Sequence, residues 1–253
     1  MRRWNSIILL IVIVVAVFIV SRDRSRTERP AEPPPAAEPP ADASSAPAKP
    51  EPAKSAAGDL PVAPGKFDYY ALVLSWSPTY CMLEGRQRND GQCDADHGFV
   101  LHGLWPQYEK GYPVDCNEGE KTWVPQSVID DVFDIMPSKG LIIHEYRAHG
   151  TCSGLSPAGY FDTSRALFKK IAIPPGFVSP DQGRTAAPGD IEKAFLAAND
   201  WLGPEMISIS CEKRNLLDVR FCFTKDLEPR ACGPNEQQKR LCPLPAIGIP
   251  ASN

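Results

Sequence analysis

Read for the alternation of apolar and polar positions, the chain divides into three parts. Trp4 to Val20 is an almost unbroken apolar run preceded by Arg2 and Arg3, the layout of a signal peptide or a membrane anchor that is just long enough to span. Phe18-Ile19-Val20 lead directly into Ser21-Arg22-Asp23-Arg24. No small-residue cleavage site intervenes, which favours an uncleaved anchor. From Arg29 to Pro64 almost no large apolar side chain occurs, so this Pro/Ala-rich stretch cannot offset the entropy of ordering itself and reads as an extended tether. The resulting division is an anchor or signal segment over 1–21, a disordered tether over 22–64 and one globular domain over 65–253.

Within the domain, Tyr69 to Trp76 is an apolar run closed by Ser77-Pro78 and predicts a buried strand. Phe99 to Leu101 predicts another. Helical spacing, with Pro or Ser at the start and Gly or Asn at the end, predicts helices over Pro125–Ile135, Leu141–His149, Pro157–Ile171 and Pro188–Ala198. Late strands fit Met206–Cys211 and Leu216–Thr224. Strands flanking a block of helices define an α+β domain with a central antiparallel sheet.

Charge and cysteine usage narrow the class. The domain carries 19 basic and 24 acidic side chains, the wrong sign for a protein that coats nucleic acid electrostatically. Any nucleic acid must be gripped locally. All eight cysteines lie in the domain and none forms a C-x-x-C pair, which argues against zinc ribbons and thioredoxin-like sites and for disulfides made outside the cytoplasm. Positive charges are nearly balanced across the apolar run, so it is the cysteines that require the domain to lie outside.

Three of the four histidines fall in two short segments, Phe99-Val100-Leu101-His102-Gly103-Leu104-Trp105-Pro106 and His144-Glu145-Tyr146-Arg147-Ala148-His149-Gly150-Thr151-Cys152. Two imidazoles can take a proton from an attacking hydroxyl and give one to a leaving oxygen within one turnover. On a helix at about 100° per residue, Glu145 and His149 share a face, so the carboxylate can orient the imidazole. Gly150 is expected to end that helix, and Cys152 to pin its end through a disulfide. His97 reads as a surface or core residue.

These segments closely resemble the two signature segments of the ribonuclease T2 family, in the family's order. Phe67-Asp68-Tyr69-Tyr70 and Leu74 through Cys81 resemble its opening strand, so the likeness runs from about Phe67 to Cys242. The resemblance implies a disulfide-stapled, ribonuclease T2-like fold and a metal-independent endoribonuclease that needs no cofactor. It would act on single-stranded RNA with little base specificity, by transesterification to 2′,3′-cyclic phosphate ends. His149 would be the general base and His102 the general acid. Glu145 would stabilise the transition state, His144 would contact phosphate, and Trp105 would stack on a base. Gln107 and Tyr112 are further base-site candidates, and Arg147 a phosphate-site candidate. One position departs: Ala148 stands where the family usually has lysine. Family-like nesting implies the pairs Cys81–Cys93, Cys116–Cys152, Cys211–Cys242 and Cys222–Cys232, whereas eight cysteines alone leave about 105 connectivities.

Other classes fit less well. His144 and His149 are five apart, so they diverge on a helix and do not make the H-E-x-x-H zinc site. No G-x-S-x-G elbow is present. The alternative that stays open is a non-catalytic RNA-binding or surface-interaction module of the same fold. The expected molecule is an extracytoplasmic monomer, periplasmic or secreted, tied to a membrane through its N-terminal segment, with no obligate protein partner.

Overall fold

A computed structural model describes residues 64–251, apart from 115, 118–121 and 179. The expected anchor (1–21) and nearly all of the tether (22–64) lie outside the described residues. Among the described residues no helix is long and apolar enough to cross a membrane.

The fold is organised by how its first strand shares out its side chains. Every residue of β1 (Tyr69–Trp76) is buried, which is why the sequence shows a continuous run and no alternation. Strand geometry still sends alternate residues to opposite faces. Tyr70, Leu72, Leu74 and Trp76 enter the main hydrophobic core. The other face of β1 carries Tyr69, Ala71, Val73 and Ser75, which are on average smaller and more polar.

Two antiparallel neighbours flank β1: β2 (Phe99–Gln107) on one side and β5 (Asn215–Phe223) on the other, with β4 (Ile207–Glu212) antiparallel on the far side of β5. The short strands β3 (Arg184–Ala186) and β6 (Ile247–Ile249) form an antiparallel pair that joins β5 by one parallel register, Asn215 opposite Gly248. Helices α1 (Gln126–Val132), α2 (Lys139–Glu145), α3 (Pro157–Lys170) and α4 (Pro188–Ala198) lay Ile129, Ile142, Tyr160, Phe161 and Phe195 into the same core as the apolar face of the sheet. The second face is covered in part by residues 234–241. The Tyr69 hydroxyl donates to the Glu236 carboxylate and the Ser208 hydroxyl to the Glu236 carbonyl. Gln238 completes both backbone groups of Ile209 on the open edge of β4, a side-chain substitute for another strand.

Four disulfides staple this α+β domain: Cys81–Cys93, Cys116–Cys152, Cys211–Cys242 and Cys222–Cys232. The connectivity is the nested one implied by the family resemblance.

Two departures from the expected elements bear on the site. The expected short strand at Phe99–Leu101 continues to Gln107; β2 lies at the sheet edge, where the missing N–H of Pro106 removes no ladder bond. The helix expected to stop at Gly150 passes through a π-helical turn (Tyr146–Gly150) and runs on to Ser153, where Gly154, at φ +79°, caps it. Gly150 serves packing instead of termination: a Cβ there would lie 2.4 Å from Cδ2 of Tyr146.

Candidate active site

The two signature segments meet where both of their elements are irregular. Along β1 and β2 the register passes from Val73 opposite Gly103 to Leu74 opposite Leu101, which makes His102 the extra residue of a β-bulge. A bulge bends the strand and re-aims a side chain that regular pairing would fix. His149 lies in the π-helical turn that follows α2, a local widening common at functional positions.

Glu145, the last residue of α2, joins them. Its side chain is 1% exposed, and its Oε1 lies 3.3 Å from Nε2 of His102, which is 33% exposed. Its Oε2 accepts a 2.7 Å hydrogen bond from Nε1 of Trp105. This approach requires the glycine between the histidine and the tryptophan: a Cβ at Gly103 would stand 2.0 Å from Oε2 of Glu145. The Trp105 ring stacks on His149 at a centroid distance of 5.1 Å and meets His102 edge-on at 5.3 Å. The two imidazoles are therefore no further apart than the sum of those distances.

Electrostatics make the cluster an ion pair. Burial on its own depresses His102, but the charge and hydrogen bond of Glu145 outweigh it and hold the imidazole above its ordinary value. Burial on its own raises Glu145, and His102, His149 and the Trp105 N–H outweigh that, leaving it below the usual carboxylate range. Both groups are held in their charged forms, as mutual stabilisation demands. Such a site keeps a larger fraction of His102 protonated near neutrality than an unperturbed imidazole would have, so a proton is there to donate.

Of the residues singled out in the sequence, His102, Trp105, Glu145 and His149 come together. Trp105 has its ring engaged by His149 and by the guanidinium of Arg220, 5.0 Å from the ring centre. Its indole N–H is on Glu145. His144 is exposed on α2. Arg147 turns to the loop, its Nε donating to the Thr122 carbonyl at 3.1 Å. Gln107 is buried, its Oε1 accepting from Nδ2 of Asn235 at 3.0 Å, and Tyr112 is half exposed on the following loop. Two residues were not anticipated: Arg220 and Asp218 on β5, linked at 2.9 Å. Their one trace in the sequence is a pair of charges two apart inside the otherwise apolar segment Leu216–Phe223.

An α+β sheet presenting two imidazoles and a buried carboxylate has the groups that acid–base chemistry requires. A family model for the ribonuclease T2 family matches residues 67–232. A ribonuclease of Aeromonas hydrophila is 33% identical over 188 residues, covering 74% of this chain and 84% of that protein. Ribonuclease DdI of Dictyostelium discoideum is 29% identical over 181 residues, covering 64% and 76%. In fold, the RNase-related protein from Calystegia sepium is similar with a TM-score of 0.58 at 22% identity, over 74% of this chain and 98% of that one. The chain belongs to the ribonuclease T2 family and is an endoribonuclease of that type.

Proposed function

We propose that the enzyme cleaves single-stranded RNA without a metal, by attack of the substrate's own 2′-hydroxyl on the adjacent phosphorus. His149 takes the 2′-hydroxyl proton. The 5′ oxygen departs with a proton from His102, leaving a 2′,3′-cyclic phosphate. The observation that carries the assignment of roles is the Glu145–His102 pair: an imidazole bound to a buried carboxylate and held above its ordinary value is the one that arrives charged, ready to act as acid. An imidazolium has a proton on each nitrogen, and with Nε2 turned to Glu145, the Nδ1 proton is the one not committed to that pair.

Glu145 thereby has two tasks, keeping His102 charged and, with Trp105, fixing where its ring points. His144, exposed on the same helix, suits a phosphate contact, and Arg147 a secondary one. Gln107, at the end of β2, and Tyr112, on the loop that follows, suit the nucleotide beside the scissile bond. A single-stranded substrate fits a domain that is acidic overall, because grip then comes from local stacking and hydrogen bonds and not from a broad basic surface. Base preference is expected to be weak. The four disulfides support an oxidising, extracytoplasmic setting. Residues 1–21 would anchor the enzyme there or direct its export, with residues 22–64 as tether.

The test is incubation of the oxidised enzyme with single-stranded RNA in excess EDTA, beside His102→Ala and His149→Ala. Cleavage to cyclic phosphate ends by the parent and by neither variant is the expected result. Loss of cleavage in EDTA with rescue by a divalent ion would overturn the metal-free reading. An oxidised, folded parent that binds RNA and leaves it whole would favour the non-catalytic alternative for this chain.

A further inference from the structure

Beneath the catalytic cluster lies an ion pair that the proposed chemistry does not use. Arg220 and Asp218 are on β5, two strands away from Trp105. Register explains how they meet. Arg220 is opposite Val73 and Val73 opposite Gly103; Cys222 is opposite Ala71 and Ala71 opposite Trp105. Directly opposed residues share a face of the sheet. Trp105 and Arg220 therefore both lean over β1, where the central strand presents only Ala71 and Val73 between them. The guanidinium ends 5.0 Å from the centre of the indole ring.

Arg220 is costly to keep there. Its side chain is 15% exposed and that of Asp218 5%, and a buried ion pair adds little to stability over apolar residues of the same size. Its Nε is committed to Asp218, which holds the flat guanidinium in one plane. On the other strands of this face the pair meets small residues, Ser208 opposite Arg220 and Ser75 and Ser210 opposite Asp218. Nothing bulky from these competes with Trp105 for the guanidinium.

We infer that Arg220, steadied by Asp218, is a positioning residue for the reaction: it braces the Trp105 ring so that the indole N–H stays on Glu145 and Glu145 on His102. The chain of contacts is continuous, Asp218 to Arg220 to Trp105 to Glu145 to His102, and each link is a side-chain contact already described. The inference rests on the proposed role of His102 as acid. Arginine suits this brace better than lysine because its planar group can lie on an indole face while still bonding a carboxylate.

The experiment is steady-state RNA cleavage across pH by the oxidised enzyme carrying Arg220→Gln, Arg220→Lys or Asp218→Asn, each also in a Trp105→Phe background. The charged and titratable groups facing His102 are Glu145 from α2 and Asp218 and Arg220 from β5, with His149 across Trp105. Arg220 opposes and Asp218 favours protonation of His102. Asp218→Asn removes both that favouring charge and the anchor of Arg220, so it should move the alkaline limb of kcat/KM down. kcat should fall on the order of 10²-fold in Arg220→Gln, the cost of misplacing a group by about 1 Å, with KM little changed. Arg220→Lys should fall between. In the Trp105→Phe background the effect of Arg220→Gln on kcat should shrink, since the route through the indole N–H is already cut.

Unchanged kcat in a folded Arg220→Gln enzyme would overturn the inference, as would an unmoved limb in Asp218→Asn or effects that add fully to those of Trp105→Phe. If Arg220→Gln does not fold, Arg220→Lys carries the kcat readout and Asp218→Asn both readouts. Failure here with an inactive His102→Ala enzyme sinks only the brace; an active His102→Ala enzyme sinks the acid role beneath it.

Discussion

The two histidines of the site are held in opposite ways. His102 sits on an edge strand, and what fixes it is chemical: a β-bulge turns it out of the ladder and a buried carboxylate catches its Nε2. His149 sits on a helix, and its backbone is fixed mechanically while its ring stacks on Trp105. Its π-helical turn is followed by Cys152, tied to Cys116 by a disulfide, and by the left-handed cap at Gly154. The contrast matches the proposed duties. An acid must hold a proton against neutral solvent, so its environment supplies charge, whereas a base must be open to the substrate and needs only to be aimed. Trp105 lies between them and touches both rings.

Breaking either half outright is the most severe test. His102→Ala and His149→Ala should each lower kcat/KM by about 10³-fold, within the usual range for removing one acid or base, measured on single-stranded RNA at the parent's optimum. Glu145→Gln comes next and should act on one half only. It removes the charge that raises His102, so the alkaline limb of the pH–rate profile should shift to lower pH, with a loss on the order of 10²-fold at neutral pH. An unmoved limb would separate Glu145 from His102. Gly103→Ala should produce a smaller loss of the same kind, since a Cβ would push against Oε2 of Glu145; about 10-fold is expected, with the same limb displaced. Cys116→Ser with Cys152→Ser tests the mechanical half. It opens a loop with a sequence separation of 36 and should cost about 3–4 kcal/mol of stability by thermal unfolding, a figure set by chain entropy. The enzyme that still folds should lose rate only several-fold, with its alkaline limb in place.

The Glu145–His102 pair also sets a stability window. The lowered carboxylate contributes stability above its unfolded value, lost as pH falls through the folded one. The raised imidazole contributes below its unfolded value, lost as pH rises through the folded one. The pair therefore holds the site best between the ordinary carboxylate and histidine values, about 4.3 and 6.5. Urea titrations of the parent and Glu145→Gln should differ most in that interval.

Much of this was legible in the sequence. Tyr69–Trp76 and Pro188–Ala198 carry their own boundaries, because Pro and the change from apolar to polar residues mark where each must start or stop. That two histidines and one glutamate gather was legible because so few histidines occur and three of them cluster; the partner was not, since helical spacing set Glu145 beside His149 and its Oε1 lies instead on Nε2 of His102. What the sequence could not show is irregularity. A bulge at His102 and a π turn at Tyr146–Gly150 arise from tertiary packing, and local propensity carries no sign of either; Gly150, read as a stop signal, consequently misplaced the helix end. Arg220 and Asp218 stayed hidden for a related reason. A charge pair in a strand reads as a solvated face until the register shows which neighbours lie across it.

The claim that most needs testing is the division of labour between the two imidazoles. Cleavage of an RNA linkage whose 5′ oxygen is replaced by sulfur tests it directly, since a thiolate leaves without help from an acid. The account predicts that His102→Ala recovers most of its lost rate on this substrate while His149→Ala stays inactive. Recovery by His149→Ala and not by His102→Ala would contradict it and exchange the two roles.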